Sequence, residues 1–113
     1  MTVRERQIDD VTVIDVNGRI TEEDGALLLC DTVRRLARGG RTKLLLNLRD
    51  TPSIDSAAMG EIVRGYTTVT RLGGGLKLLQ VQERVHALLA VTRLTTVFEI
   101  FDAEREAVAS FRG

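Results

Sequence analysis

The spacing of apolar positions changes several times along the chain, and each change marks an element. Val11-Thr-Val-Ile-Asp-Val16 alternates with the two-residue period of a half-buried strand. Thr2 to Ile8 can pair with it as an edge partner through a turn at Asp9-Asp10. Gly18 breaks the alternation, and the period then lengthens. Ala26, Leu29, Cys30, Val33, Leu36 and Ala37 recur at helical spacing, and Gly39-Gly40 supplies the stop. Thr21 is the candidate N-cap of this first helix, with Glu22, Glu23 and Asp24 in the turn that the helix dipole favours for acids.

Leu44-Leu-Leu-Asn-Leu48 is a short, almost unbroken apolar run of the kind found in strands covered on both faces. Asp50-Thr-Pro-Ser53 reads as a turn, and a second helix begins near Ser56. Met59, Ile62, Val63, Tyr66 and Val69 or Thr70 form its inward stripe, while Glu61, Arg64 and Arg71 face water. Gly73-Gly-Gly75 ends it. Leu76 to Val81 reads as another interior strand. Val85, Leu88, Leu89 and Thr92 mark a third helix, and Val97-Phe-Glu-Ile100 a last short strand. Asp102 is placed to cap a terminal helix with Ala107, Val108 and Phe111 inward. Strands alternating with helices predict an α/β domain whose later strands run parallel through helical crossovers.

The length, 113 residues, suits one domain over 1–113 and leaves no room for a second. Aromatic residues are scarce, so Leu, Val and Ile must build the core. Sixteen basic residues balance sixteen acidic ones. That balance argues against nucleic acid, whose binders carry a basic surplus, and against a polybasic membrane patch. No apolar run approaches the ~20 residues that span a bilayer. The first ten residues carry charges and no apolar signal core. Cys30, the lone cysteine, lies on the apolar helix stripe and reads as a buried small hydrophobe in a reducing compartment. A cytoplasmic protein is the expectation.

Catalytic raw material is thin. His86 is the single histidine, which excludes His pairs and His-Cys metal sets, and its helical position suits a surface or cap role. Gly73-Gly-Gly75 lacks the spacing of a phosphate-cradling loop and follows a helix where such a loop would open one, so it reads as a helix-to-strand turn. The sequence predicts no enzyme, no cofactor and no metal. Ile54-Asp-Ser-Ala-Ala-Met-Gly60 differs: a turn delivers a hydroxyl to a helix start. Asp55 or Ser56 can cap that helix. Ser56 can also stand open to a kinase, and the two roles are compatible.

At this segment the chain resembles the STAS family, specifically the bacterial anti-sigma-factor antagonists. Gly18-Arg-Ile20, Leu46-Asn-Leu48, Ile54-Asp-Ser56, Gly74-Gly-Leu-Lys-Leu-Leu79 and Val97-Phe-Glu-Ile100 carry the resemblance through their order and spacing, from about Val11 to Phe111. It implies a single STAS-type domain, a mixed, mostly parallel sheet flanked by helices. It also implies a partner switch. The unphosphorylated protein binds an anti-sigma factor that is a serine kinase, phosphorylation of Ser56 breaks the complex, and a metal-dependent serine/threonine phosphatase resets it.

Thr21, Asp55, Ser56, Ala57, Ala58 and Met59 are the implied partner-binding residues, on a protein expected to be monomeric. The usual Asp-Ser-Ser-Gly is here Asp55-Ser-Ala-Ala58, so Ser56 is the one hydroxyl left. Ala58 adds a methyl where glycine is common, Thr21 stands where many members carry aspartate, and Thr96 replaces another frequent glycine. Leu27 and Leu28, off the inward stripe, either extend the docking surface or pack beside a neighbouring helix. The alternative function is a STAS accessory subunit of a membrane lipid- or anion-transport complex with no phosphorylation switch. A nucleotide-binding role has only the Gly73 to Gly75 turn behind it.

Overall fold

Beginning with a hairpin, the chain lays down one sheet and returns over it with helices. The computed structural model describes residues 1–112. Strands β1 (Thr2–Ile8), β2 (Val11–Asn17), β3 (Lys43–Asp50), β4 (Gly75–Leu79) and β5 (Ile100–Phe101) lie side by side in sequence order. β1 is antiparallel to β2, in the register Ile8 to Val11, and Asp9 makes the tight turn at φ 54°. All later pairs are parallel. Helices α1 (Ala26–Arg38), α2 (Ser56–Arg71), α3 (Glu83–Val91) and α4 (Glu104–Ser110) make the crossovers and the final cover.

Two apolar clusters explain the unbroken hydrophobic run in β3. Leu44, Leu46 and Leu48 join Ile14, Leu78 and the inward faces of α1, α2 and α3. Leu45 points the other way, into a smaller cluster with Val11, Val13, Leu79, Ala107, Val108 and Phe111. Alternate side chains of one strand therefore fill opposite cores. Lys77 fastens α4 over the second core. Its ammonium lies 2.9 Å from Ser110 Oγ and 4.5 Å from the centre of the Phe111 ring, a cation–π contact.

Several boundaries differ from expectation. α1 starts at Ala26, after Gly25 at φ 106°, and Thr21 is not its cap. The Thr21 hydroxyl accepts instead from the Asp24 amide at 2.9 Å, closing a turn inside the loop. Glu22, Glu23 and Asp24 therefore precede the helix. β4 stops at Leu79 because Gln80 turns left-handed, φ 53°. β5 is Ile100–Phe101 and not Val97 to Ile100, since a short 3-10 turn at Leu94–Thr96 drives Phe98 into the core. There it meets Tyr66 edge-on, with ring centres 5.2 Å apart. Ala103, not Asp102, precedes α4. Thr92 ends α3 exposed, and Leu88 is only half-buried. On α2, Val69 is buried and Thr70 is not.

The glycine run has a packing purpose. Gly73 leaves α2 at φ +85°, and a Cβ on Gly74 would stand 2.0 Å from the Thr42 carbonyl oxygen. The run is a close-approach helix-to-strand turn.

Candidate functional site

Parallel pairing of β2 and β3 does not stop where the strands end. The Gly18 amide donates to the Asp50 carbonyl at 2.9 Å and the Ile20 amide to the Ser53 carbonyl at 3.1 Å. Returning, the Asp55 amide donates to the Ile20 carbonyl at 3.0 Å. The buried Thr51 hydroxyl donates to the Val16 carbonyl at 3.2 Å. The loop after β2 and the loop after β3 are thus stitched together by backbone. α2 begins on this platform.

Asp55 occupies the cap position with extended backbone, φ −81° and ψ 169°. Its Oδ1 accepts from the Ala58 amide at 2.8 Å and its Oδ2 from the Glu22 amide at 2.9 Å. One oxygen satisfies the helix start, and the other holds the neighbouring loop. These amides, Ala58 first and Glu22 second, hold the Asp55 carboxyl below the usual carboxylate range by favouring its charged form. Of the two cap candidates, Asp55 caps. Ser56 is the first residue of α2 and is exposed.

The other implied contact residues divide by helical phase. Ala57 is exposed and Thr21 partly so, both near Ser56. Ala58 and Met59 are corrected: they are 0% and 3% exposed, turned onto the core side with Ile62. They pack the first turn of α2 and cannot touch a partner. The methyl of Ala58 lies inside the protein and obstructs no docking surface. Leu27 and Leu28, by contrast, are 70% and 48% exposed on α1. The Glu22 amide, which tethers the two loops, carries no signal in the sequence, because the Asp55 oxygen it meets lies 33 residues away.

Elsewhere the chemistry is quiet. Cys30 is buried, and burial followed by the neighbouring Glu61 carboxylate pushes its thiol above the ordinary value. His86 is exposed on α3. Among the described residues, no group of three or more His, Cys, Asp or Glu is placed to hold a metal ion. No helix among them is long and apolar enough to cross a membrane.

The molecule is a small α/β module with an exposed serine, Ser56, at the first position of α2. The family model for the STAS domain matches residues 2–107, and the chain belongs to that family. A protein of Thermotoga neapolitana, provisionally named an anti-sigma factor antagonist, is 31% identical over 106 residues, which cover 94% of each chain. The crystal structure of a Thermotoga maritima protein, likewise provisionally named, aligns with TM-score 0.91 and 29% identity over 98% of this chain and 95% of that one. SpoIIAA, an anti-sigma factor antagonist, shares the fold in its unphosphorylated and phosphorylated forms, with TM-scores of 0.75 and 0.76. Identities are 16% and 14%, with coverage of 99% of both chains for the first form, and of 96% of this chain and 98% of that one for the second.

Proposed function

We propose that this chain is a cytoplasmic, monomeric partner-switch regulator, in which Ser56 accepts phosphate from the anti-sigma factor kinase that docks over it. In this reading the unmodified chain sequesters the kinase, phosphorylation releases it, and a serine/threonine phosphatase restores the starting state. The observation that carries the reading is the placement of Ser56, exposed at the first position of α2, with Asp55 beside it already doing the capping. The hydroxyl is therefore spare. The anti-sigma factor antagonist names of relatives supply the partner class.

The energetics favour a switch by repulsion. A phosphoserine adds about 1.5 to 2 negative charges. At a helix N-terminus the dipole stabilises negative charge by roughly 0.3 to 1 kcal/mol, so the fold tolerates it. A thousandfold loss of affinity needs about 4 kcal/mol, and one unit-charge repulsion near 4 Å at a surface-like dielectric is about that size. No rearrangement of the domain is required.

The test is incubation with anti-sigma-class serine kinases and ATP, followed by intact mass and peptide mapping. One added phosphate, located on Ser56 and absent from Ser56→Ala, is expected. Phosphate placed elsewhere, or none with any kinase that binds the chain, refutes the reading. Ser56→Asp should abolish kinase binding while the melting temperature stays within a few degrees.

A further inference from the structure

α1 and α2 are crossovers between parallel strands and lie side by side in the same direction. They meet where Gly65 faces Val33, so closely that a Cβ on Gly65 would stand 3.2 Å from Val33 Cγ1. Along this seam run two depressions, of about 320 and about 280 Å³. Both are lined by Cys30, Arg34 and Arg64, so they form one trough. Its upper end is bounded by Glu22, Leu27 and Ala57, next to Ser56. Its lower end reaches Arg71.

Charge along the trough is patterned, although the chain as a whole is formally neutral. Among the described residues neither Arg34 nor Arg71 makes an ion pair, and Arg64 reaches only Glu61, at 3.7 Å. Three guanidinium groups thus line one depression with little internal compensation. Beside its upper end, Leu27 stands 70% exposed. Glu22 and Glu61 line the upper depression, whereas the lower one has arginines and, among the described residues, no carboxylate. An apolar anchor at the upper end and a cationic surplus toward Arg71 is the complement of one kind of ligand.

We infer that this trough seats an acidic amphipathic helical segment of a protein partner, with an apolar side chain over Leu27 and carboxylates against Arg34, Arg64 and Arg71. The inference rests on the docking reading of Ser56, because Ala57 makes the trough continuous with that surface. Three arginines on a neutral domain are too few to compete for nucleic acid at physiological salt. They suffice to orient an acidic helix and to speed its arrival.

The probe is a stapled helical peptide with two leucines one turn apart, followed by three glutamates over the next two turns, titrated into the isotope-labelled chain. Amide shifts should fall on α1 from Leu27 and on α2 from Ala57 to Arg71. Affinity should fall with salt, and by at least about tenfold in the double variant R34E/R71E. A lysine-for-glutamate peptide should prefer that variant over wild type. R34Q/R71Q, which removes charge without reversing it, gives the intermediate value if α1 or α2 is disturbed by reversal.

Shifts elsewhere, no shifts, or equal binding of the acidic and basic peptides by wild type overturns the trough. Failure of the two proposals is distinguishable. Arginine-dependent peptide binding without a phosphate on Ser56 removes only the switch, whereas a phosphate on Ser56 with charge-blind peptide binding removes only the trough.

Discussion

The close approach of Gly65 to Val33 sets the distance between α1 and α2, and its energetics can be worked out before any experiment. Replacing Gly65 by Ala inside a 16-residue helix should gain about 0.8 to 1 kcal/mol of helix propensity. Against this, the new methyl meets Val33 Cγ1 at 3.2 Å and Cγ2 at 3.5 Å, which requires Val33 to yield by a few tenths of an ångström. Overpacking of this kind costs roughly 1 to 3 kcal/mol, so Gly65→Ala should be destabilising by about 0 to 2 kcal/mol. Gly65→Leu gains nearly as much propensity but brings three further carbons to the same contact, and should still be destabilising by at least about 2 kcal/mol.

The informative variant is the pair. Val33 is 4% exposed, and Val33→Ala removes two carbons at about 0.8 kcal/mol each, plus the cavity left behind. In the double variant the methyl introduced at position 65 enters the space vacated by Val33. The two substitutions should therefore couple favourably by about 1 kcal/mol or more in a double-mutant cycle, read from urea unfolding at constant m-value. Additivity within about 0.3 kcal/mol would refute the contact, and with it the helix spacing that shapes the trough.

Other expectations follow from single contacts. Gly74→Ala puts a carbon 2.0 Å from the Thr42 carbonyl oxygen, so the variant should melt many degrees lower or fail to fold, whereas Gly40→Ala, at φ +82° in open space, should suffer backbone strain alone. Calorimetry of the two separates clash from strain, and an equal loss in both would refute the clash. Asp55→Ala should release both the Ala58 and the Glu22 amides. Hydrogen exchange at Glu22 should accelerate along with that at Ala58, and an unchanged Glu22 amide would show that the loops are held without the carboxylate. At Asp15, burial alone would raise the carboxyl pKa, but hydrogen bonds from Arg6 and Asn47 outweigh it and hold the group below its ordinary value. A depressed folded-state pKa means that its stabilisation is present above about pH 4, the unfolded value, and is lost as pH falls through the folded one. Asp15→Asn should therefore be less stable than wild type at pH 7, with the gap closing in acid. A gap that widens in acid would contradict the assignment.

Elements with strong local signals are legible from sequence. The hairpin follows from alternation and a two-residue turn, and β3 from its apolar run. The start of α2 follows from cap chemistry, which sequence alone leaves divided between Asp55 and Ser56. The start of α1 is not legible. Thr21-Glu-Glu-Asp24 has the composition of a capped helix, but backbone bonds to residues more than thirty positions away hold its loop, and Gly25 begins the helix later. The position of β5 is hidden because Val97-Phe98 looks like a strand, while Phe98 is drawn into the core. At the site, Ser56 stands out from its position and Met59 already falls on the inward stripe, but the inward turn of Ala58 needs the exact phase of α2, which follows only once Asp55 is fixed as the cap.

The two stitched loops have a further consequence. A surface already cross-braced by its own main chain has little disorder left to surrender when another molecule arrives. On the proposed docking at Ser56, this side of the contact arrives already shaped, and binding free energy is not spent on tidying it first. Encounter rates should answer to charge and orientation, with no slow ordering step in between.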